Sequence, residues 1–252
     1  MSTTLTKTSI CDFIIIGAQR CGTTSMYQSI ISHPEITFAS RKELHFFDLN
    51  FKKGLDYYRS QFKDGTLRGE ASPYYIFHPH VPKRIAQFIP KIKLIVMLRN
   101  PIDRAYSHYH HQVSMGIEKL SFEDALKAEE KRLAGEYEKI LKSESYYSFN
   151  HQNFSYLSRG IYVDQLKKWR KFFDQEQILV IKSEDFFADP HKILNEVFDF
   201  QGLSKYNQIE NKHYNMKNYK SMNNETRKNL IEYFKPHNEK LYNFLGRDFN
   251  WN

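Results

Sequence analysis

The stretch FIIIGAQRCGTTS, residues 13–25, constrains the fold more than any other part of the chain. DFIIIGA (12–18) holds a short, continuous, β-branched apolar run ended by glycine, which is the pattern of a strand buried on both faces. A helical pattern follows at once: Met26, Tyr27, Ile30 and Ile31 share one face until His33-Pro34 stops it. A buried strand that turns directly into a helix starts a βα unit. The glycine-bracketed turn between them aims backbone N–H groups, and the positive end of the helix dipole, at one spot where an anion is favoured.

The rest of the chain repeats the theme. IKLIVML (92–98) and QILVIK (177–182) read as further buried strands, and a short strand-like segment precedes GEASPYY (69–75). Helix openings lie between and after them: Asn100-Pro101 offers a cap and an N1 proline, Ser121 to Asp124 resembles a capping box, and Asp189-Pro190 opens another helix. Buried strands alternating with helices imply an α/β fold, a P-loop-like three-layer αβα arrangement with a mostly parallel central sheet. Residues 119–150 are polar, charged and strand-poor, and are expected to form a helical insertion over one edge. The expected organisation is a flexible N-terminus over 1–10 and a single domain over 11–252, without repeats, long linker or second core.

At 252 residues, with 40% hydrophobic and 15% aromatic content, the chain can bury a sizeable core and is not a disordered segment. Its net charge of +8 fits an anionic ligand, and the basic residues are spread through the chain rather than gathered into a nucleic-acid-binding tail. Two cysteines, Cys11 and Cys21, make no disulfide framework and suit a reducing compartment. No apolar stretch approaches the roughly 18 residues of a membrane span. These features imply a soluble cytoplasmic protein, monomer or homodimer, with neither nucleic acid nor membrane as partner.

Gly17 and Gly22 have the spacing of the G-x-x-x-x-G-K-[ST] loop of nucleoside triphosphatases, but Thr23 stands where the lysine belongs and Arg20 lies mid-loop. That lysine normally reaches the β- and γ-phosphates while the following hydroxyl binds Mg²⁺. Its replacement argues against ATP hydrolysis. Residues 20–25 (Arg20, Cys21, Gly22, Thr23, Thr24 and Ser25) can still cradle one phosphate, with a transferable group just beyond it near Arg20. A second signature, RNPIDRAYS (99–107), follows the strand IKLIVML, and the carboxyl ends of parallel strands are where such folds place ligands. Arg99 leaves the strand end, while Arg104, Ser107 and His111 share one helical face. Two separate phosphate grips imply a nucleotide with two separate phosphates.

GAQRCGTTS, RKELHFFD (41–48) and LRNPIDRAYSHY (98–109) together resemble the sulfotransferases that use 3′-phosphoadenosine 5′-phosphosulfate (PAPS), in particular the branch of heparan-sulfate sulfotransferases and their bacterial relatives. SRGIYVDQLKKW (158–169), ILVIKSEDFFADP (178–190) and LYNFLG (241–246) extend the resemblance to the C-terminus. It implies that residues 20–25 hold the 5′-phosphosulfate, that Arg99 and Ser107 hold the 3′-phosphate, and that Glu43 is the general base. Arg20 replaces a lysine usual in the family, and so implies electrostatic stabilisation of the leaving phosphate instead of proton donation. Flanked by the phosphosulfate and by apolar Phe46 and Phe47, Glu43 is expected to have its pKa raised toward neutrality; alternatively, Glu43 only pairs with Arg41 or Lys42. His45 either orients Glu43 or the acceptor, or packs as a structural residue.

Some carbohydrate-acting members carry a lysine before Ser72-Pro73, where this chain has Ala71. Glu70 either lines the acceptor cleft or caps a strand end. The aromatic segments 46–58 and 72–77 line an apolar cleft or fill the core. NMKNYKSM (215–222) resembles the loop that closes over the nucleotide, so Lys217 and Tyr219 are candidate PAPS contacts, as is Arg159. His108 and His111 share a helix face without the Cys or paired acids that would complete a metal site, and PAPS chemistry, which leaves the product PAP (adenosine 3′,5′-bisphosphate), requires no metal. The expected activity is sulfuryl transfer to a hydroxyl or amine of a small-molecule or natural-product acceptor. The alternatives are a carbohydrate acceptor, a P-loop kinase or nucleotidase, and a non-catalytic nucleotide- or polyanion-binding module.

Overall fold

In the computed structural model, which describes residues 10–206 and 220–251, the opening apolar run becomes strand β1 (Phe13–Gly17), buried at every residue. Successive strand side chains point to opposite faces, so complete burial means that both faces are covered. Each fully buried isoleucine there contributes about 1.5–3 kcal/mol. The chain continues through α1 (Thr23–Ile30), β2 (Ile36–Phe38), α2 (Gly54–Ser60), β3 (Leu67–Ala71), α3 (Val81–Phe88), β4 (Lys93–Leu98) and α4 (Pro101–Ser114). There follow α5 (Phe122–Leu133), α6 (Glu136–Lys142), α7 (Phe149–Asn153), α8 (Tyr162–Trp169), β5 (Ile178–Lys182), α9 (Ser183–Ala188), α10 (Pro190–Gln201) and α11 (Asn224–Leu245).

The five strands form one sheet in the order β2-β3-β1-β4-β5, and every pairing is parallel. From β1 the chain first builds β2 and β3 on one side and then places β4 on the other. The point where the direction reverses therefore lies outside the carboxyl ends of β1 and β4, where open α/β sheets bind ligands. All strands run one way, so Gly17, Ala71, Leu98 and Lys182 end at the same edge, and every loop discussed below leaves from it. GEA of GEASPYY lies inside β3 instead of after it. The expected helix openings are present: Asn100 Oδ1 accepts from the Ile102 N–H at 3.0 Å, Ser121 Oγ from Asp124 at 3.2 Å, and Asp189 Oδ1 from Lys192 at 3.1 Å.

Residues 119–150 carry α5, α6 and the start of α7, joined by short non-helical turns. They pack on α4, and here the expectation of no second core is corrected. Ile102, Ala105, Phe122, Ala125, Phe154, Tyr156, Leu230 and Phe234 form a smaller apolar cluster beside the main one, with Ile161 packed against both. Helices α4, α5 and α11 supply most of it, which ties the start of α11 to α4. The aromatic segments are core rather than cleft wall: Phe46, Phe47, Tyr58 and Tyr75 are fully buried, and Phe46 stacks on Tyr58 at 4.6 Å.

Candidate active site

The 17–22 loop is closed by its own backbone. The Ala18 N–H donates to the Met97 carbonyl at 2.7 Å and the Cys21 N–H to the Ala18 carbonyl at 3.2 Å, while Ser183 Oγ donates to the Cys21 carbonyl. Gly22 then caps α1 at φ 83°, with no side-chain cap and no acidic residue in the first turn. A helix start without its own anion suits an external one. Thr23 and Ser25 are buried and Thr24 is half-buried. Cys21 is fully buried, its Sγ 3.7 Å from Tyr162 Oη; desolvation, against the pull of Arg104, Tyr162 and Arg99, pushes its thiol up to about 11, so it packs beneath the loop as a thiol.

Gly22 is required on two grounds. Its φ lies in the left-handed region, and an added Cβ would sit 2.9 Å from Phe187 Cζ. Gly22→Ala is expected to cost about 1–2 kcal/mol, lowering the thermal midpoint by roughly 2–8 °C; an unchanged midpoint would show that the loop backbone relaxes freely.

Arg20 has φ 70°, and its Nε donates to Ser107 Oγ at 3.1 Å. Arg99 Nη1 donates back to the Arg20 carbonyl at 3.4 Å, and Tyr162 Oη donates to the Arg99 carbonyl at 2.9 Å. The two phosphate signatures thus meet directly, Arg20 bridging from the first to the second. Beside them a pocket of about 240 Å³ is lined by Arg99, Asp103, Tyr106, Lys220, Met222 and Arg227, among others. Its three cations face one acid, and Arg227 Nη2 lies 2.5 Å from Asp103 Oδ1. Asp103 belongs to the first turn of α4 and Asn224, also on the pocket wall, opens α11, so two helix starts border it. Sequence reasoning missed Lys220 and Arg227; Arg227 is 124 residues from Asp103, and no local pattern announces that pairing.

The 41–48 loop lies against the end of β3, where the Glu43 N–H donates to the Ala71 carbonyl at 2.8 Å. Lys42 Nζ is 2.5 Å from Glu43 Oε1, and His45 bridges two carboxylates, Nε2 lying 3.4 Å from Glu43 Oε2 and Nδ1 2.7 Å from Asp48 Oδ2. Burial pushes the Glu43 carboxyl up, but the hydrogen bond from His45 and the ammonium of Lys42 outweigh it and hold its pKa at about 2. Burial likewise disfavours the His45 cation, yet Asp48 and Glu43 outweigh that and raise it to about 10. The part of the expected shift that rests on Phe46 and Phe47 is therefore corrected. Phe46 and Phe47 turn into the core, leaving the carboxylate to its two cations. The pairing partner is Lys42, whereas Arg41 is exposed.

Other candidates sit elsewhere. Arg159 is fully buried; it donates to Gln19 Oε1 and to the carbonyls of His151 and Gln152, lies over the rings of Tyr74 and Phe77, and is lowered to about 9 by desolvation. It therefore meets the loop through Gln19. Arg104 is also fully buried and donates to the Tyr156 carbonyl, so of the shared face Ser107 is the residue that meets Arg20. Glu70 does not line a cleft; it is buried and receives hydrogen bonds from Tyr58, Ser72 and Tyr75. His108 is fully buried with Gln112 Nε2 at 3.1 Å, while His111 is half-buried. Among the described residues no group of three His, Cys, Asp or Glu is placed to hold a metal ion. Lys217 and Tyr219 lie outside the described residues.

The glycine-bracketed loop, the cationic pocket beside it and the Glu43–His45–Asp48 row gather at one edge of the sheet, and residues 11–251 match the sulfotransferase domain family. The chain belongs to that family. It is 29% identical to the membrane-associated sulfotransferase kil1 of Dictyostelium discoideum, over 95% of this chain and 66% of that protein. It is 28% identical to human heparan sulfate glucosamine 3-O-sulfotransferase 3B1, over 94% of this chain and 64% of that one. The chain thus spans slightly less than two thirds of the length of these relatives. A crystal structure of a sulfotransferase from Alicyclobacillus acidocaldarius superposes with a TM-score of 0.80 at 29% identity, covering 96% of this chain and 98% of that one. Among the described residues no helix is long and apolar enough to cross a membrane.

Proposed function

We propose that the protein transfers the sulfuryl group of PAPS to a hydroxyl or amine. The carrying observation is the Arg20–Ser107 contact, which joins a lysine-less phosphate loop to a second anion site. In this reading α1 and its loop hold the 5′-phosphosulfate, with Arg20 beside the bond that breaks. Arg99 and Ser107 hold the 3′-phosphate, with Arg227 and Lys220 adding charge to the same pocket. Three cations against one acid leave the pocket with the charge that matches a phosphate dianion. Glu43, oriented by His45, takes the acceptor's proton, and the leaving phosphate is stabilised by Arg20 and the helix start.

The donor reading is preferred to a kinase or nucleotidase because Thr23 replaces the loop lysine and β4 leads into Arg99, where an acid would be needed to hold Mg²⁺. The acceptor we propose is a small molecule, used in the cytoplasm without a divalent metal. Ala71, 1% exposed, puts no cation where carbohydrate-acting members carry lysine. A saccharide acceptor is the second reading, favoured by the likeness to the human 3-O-sulfotransferase. Calorimetry is expected to show adenosine 3′,5′-bisphosphate binding without Mg²⁺ and at least about tenfold tighter than ADP, the loss of one charge-assisted phosphate contact. Equal or weaker binding overturns the donor assignment, and an acceptor panel with labelled PAPS separates the two acceptor classes.

A further inference from the structure

We infer that Glu70 is a positioning residue, which fixes the backbone that presents Glu43 and His45 through the hydroxyls of Ser72 and Tyr75. The inference rests on the reading of Glu43 as base. Glu70 is buried, and its Oε1 accepts from both Ser72 Oγ at 2.8 Å and Tyr75 Oη at 2.7 Å. A hydroxyl has one proton, and a carboxylate only accepts. Once each proton is spent on Oε1, the oxygens of Ser72 and Tyr75 can face the loop only as acceptors. Ser72 Oγ takes the His45 N–H at 3.2 Å, while Tyr75 Oη takes those of Phe46 at 2.8 Å and Phe47 at 3.1 Å. Three consecutive backbone donors thus answer to one carboxylate oxygen. Arg84 holds the opposite polarity, donating to the carbonyls of Phe47 at 2.8 Å and Asp48 at 3.3 Å.

The loop needs such control. Glu43 and His45 both adopt positive φ, 60° and 51°, in a region that disfavours non-glycine residues. Such backbone persists only where its surroundings over-determine it. Tyr58 supplies an internal control: it donates to Glu70 Oε2 at 2.6 Å, and its hydroxyl meets Cys11 instead of a loop N–H. Tyr58→Phe and Tyr75→Phe therefore each remove one hydroxyl from the same carboxylate, but only the second removes acceptors from the loop.

Steady-state kinetics and NMR titration of His45 are measured for both variants. Tyr75→Phe is expected to lower kcat about 10- to 100-fold, the scale of a displaced catalytic group, with the KM for PAPS unchanged and the His45 titration moved down from its elevated position. Tyr58→Phe is expected to stay within about twofold of the parent in kcat and to keep the His45 titration. Equal losses of kcat in the two variants, or a His45 titration in Tyr75→Phe unchanged from the parent's, overturn the inference. If Tyr75→Phe does not fold, Ser72→Ala, which removes the acceptor of the His45 N–H, is judged against Tyr58→Phe by the same criteria. The titration separates this from the functional reading: a parent protein that transfers no sulfuryl group defeats the latter, while the His45 titration still decides the former.

Discussion

Glu43→Gln is expected to lower kcat about 10²-fold or more, the usual range for a catalytic base, while leaving the affinity for adenosine 3′,5′-bisphosphate unchanged. The amide fills the same space and can still accept one hydrogen bond, but it cannot take a proton. Normal turnover would remove Glu43 from the mechanism. The pKa of about 2 sharpens the expectation. A carboxylate so low is ionised throughout the ordinary assay range, so kcat/KM should show no acid limb from Glu43 until pH falls toward 2. It is also a weak base while Lys42 sits on it. An anionic donor offers that ammonium a competing partner, and withdrawal of Lys42 would strengthen the base at the moment it is needed. At the other end, His45 is a cation until pH rises through about 10, and loss of that charge releases its hold on Glu43. Activity should therefore fall on the alkaline side first.

The legible parts of this protein were the local ones. FIIIG followed by a glycine-bracketed turn pointed to β1, the loop and α1 because strand, turn and helix start all lie within a short run of residues. LRNP did the same for the end of β4 and the cap of α4. β2 escaped notice because it is three residues long and lies at a sheet edge, too short to show a period. The neighbours of Glu43 in the sequence are not its neighbours in space. Phe46 and Phe47 follow it closely in the chain, but the loop's positive φ angles accompany their turn into the core, which leaves Lys42 and His45 at the carboxylate. Contacts between distant segments left no trace in either stretch: Ser72 reaches His45 across 27 residues, and Tyr75 reaches Phe46 across 29. The alternation of strands and helices forecasts the sheet, and through it the edge where these segments converge; it does not say which hydroxyl meets which N–H.

Arg20→Ala is expected to lower kcat about 10²- to 10³-fold, the scale of removing one preorganised donor from a developing charge, and to weaken donor binding as well. The geometry explains why both should change. Arg20 Nε donates to Ser107 Oγ at 3.1 Å, which anchors the side chain toward the side proposed for the 3′-phosphate, while the side chain itself springs from the loop proposed for the 5′-phosphosulfate. Under the proposed function one residue would then read both ends of the donor. A lysine in its place has a single compact ammonium and can satisfy Ser107 or the leaving phosphate but not both with the same geometry. Arg20→Lys should therefore separate the two functions: charge is retained, so kcat recovers most of the loss, whereas the link to Ser107 is weakened and the affinity for adenosine 3′,5′-bisphosphate stays below that of the parent. Stopped-flow turnover and calorimetry on the three proteins measure this directly. If Arg20→Ala changes neither rate nor affinity, Arg20 does not stand at the leaving group, and the positive φ of 70° that carries it there has some other cause.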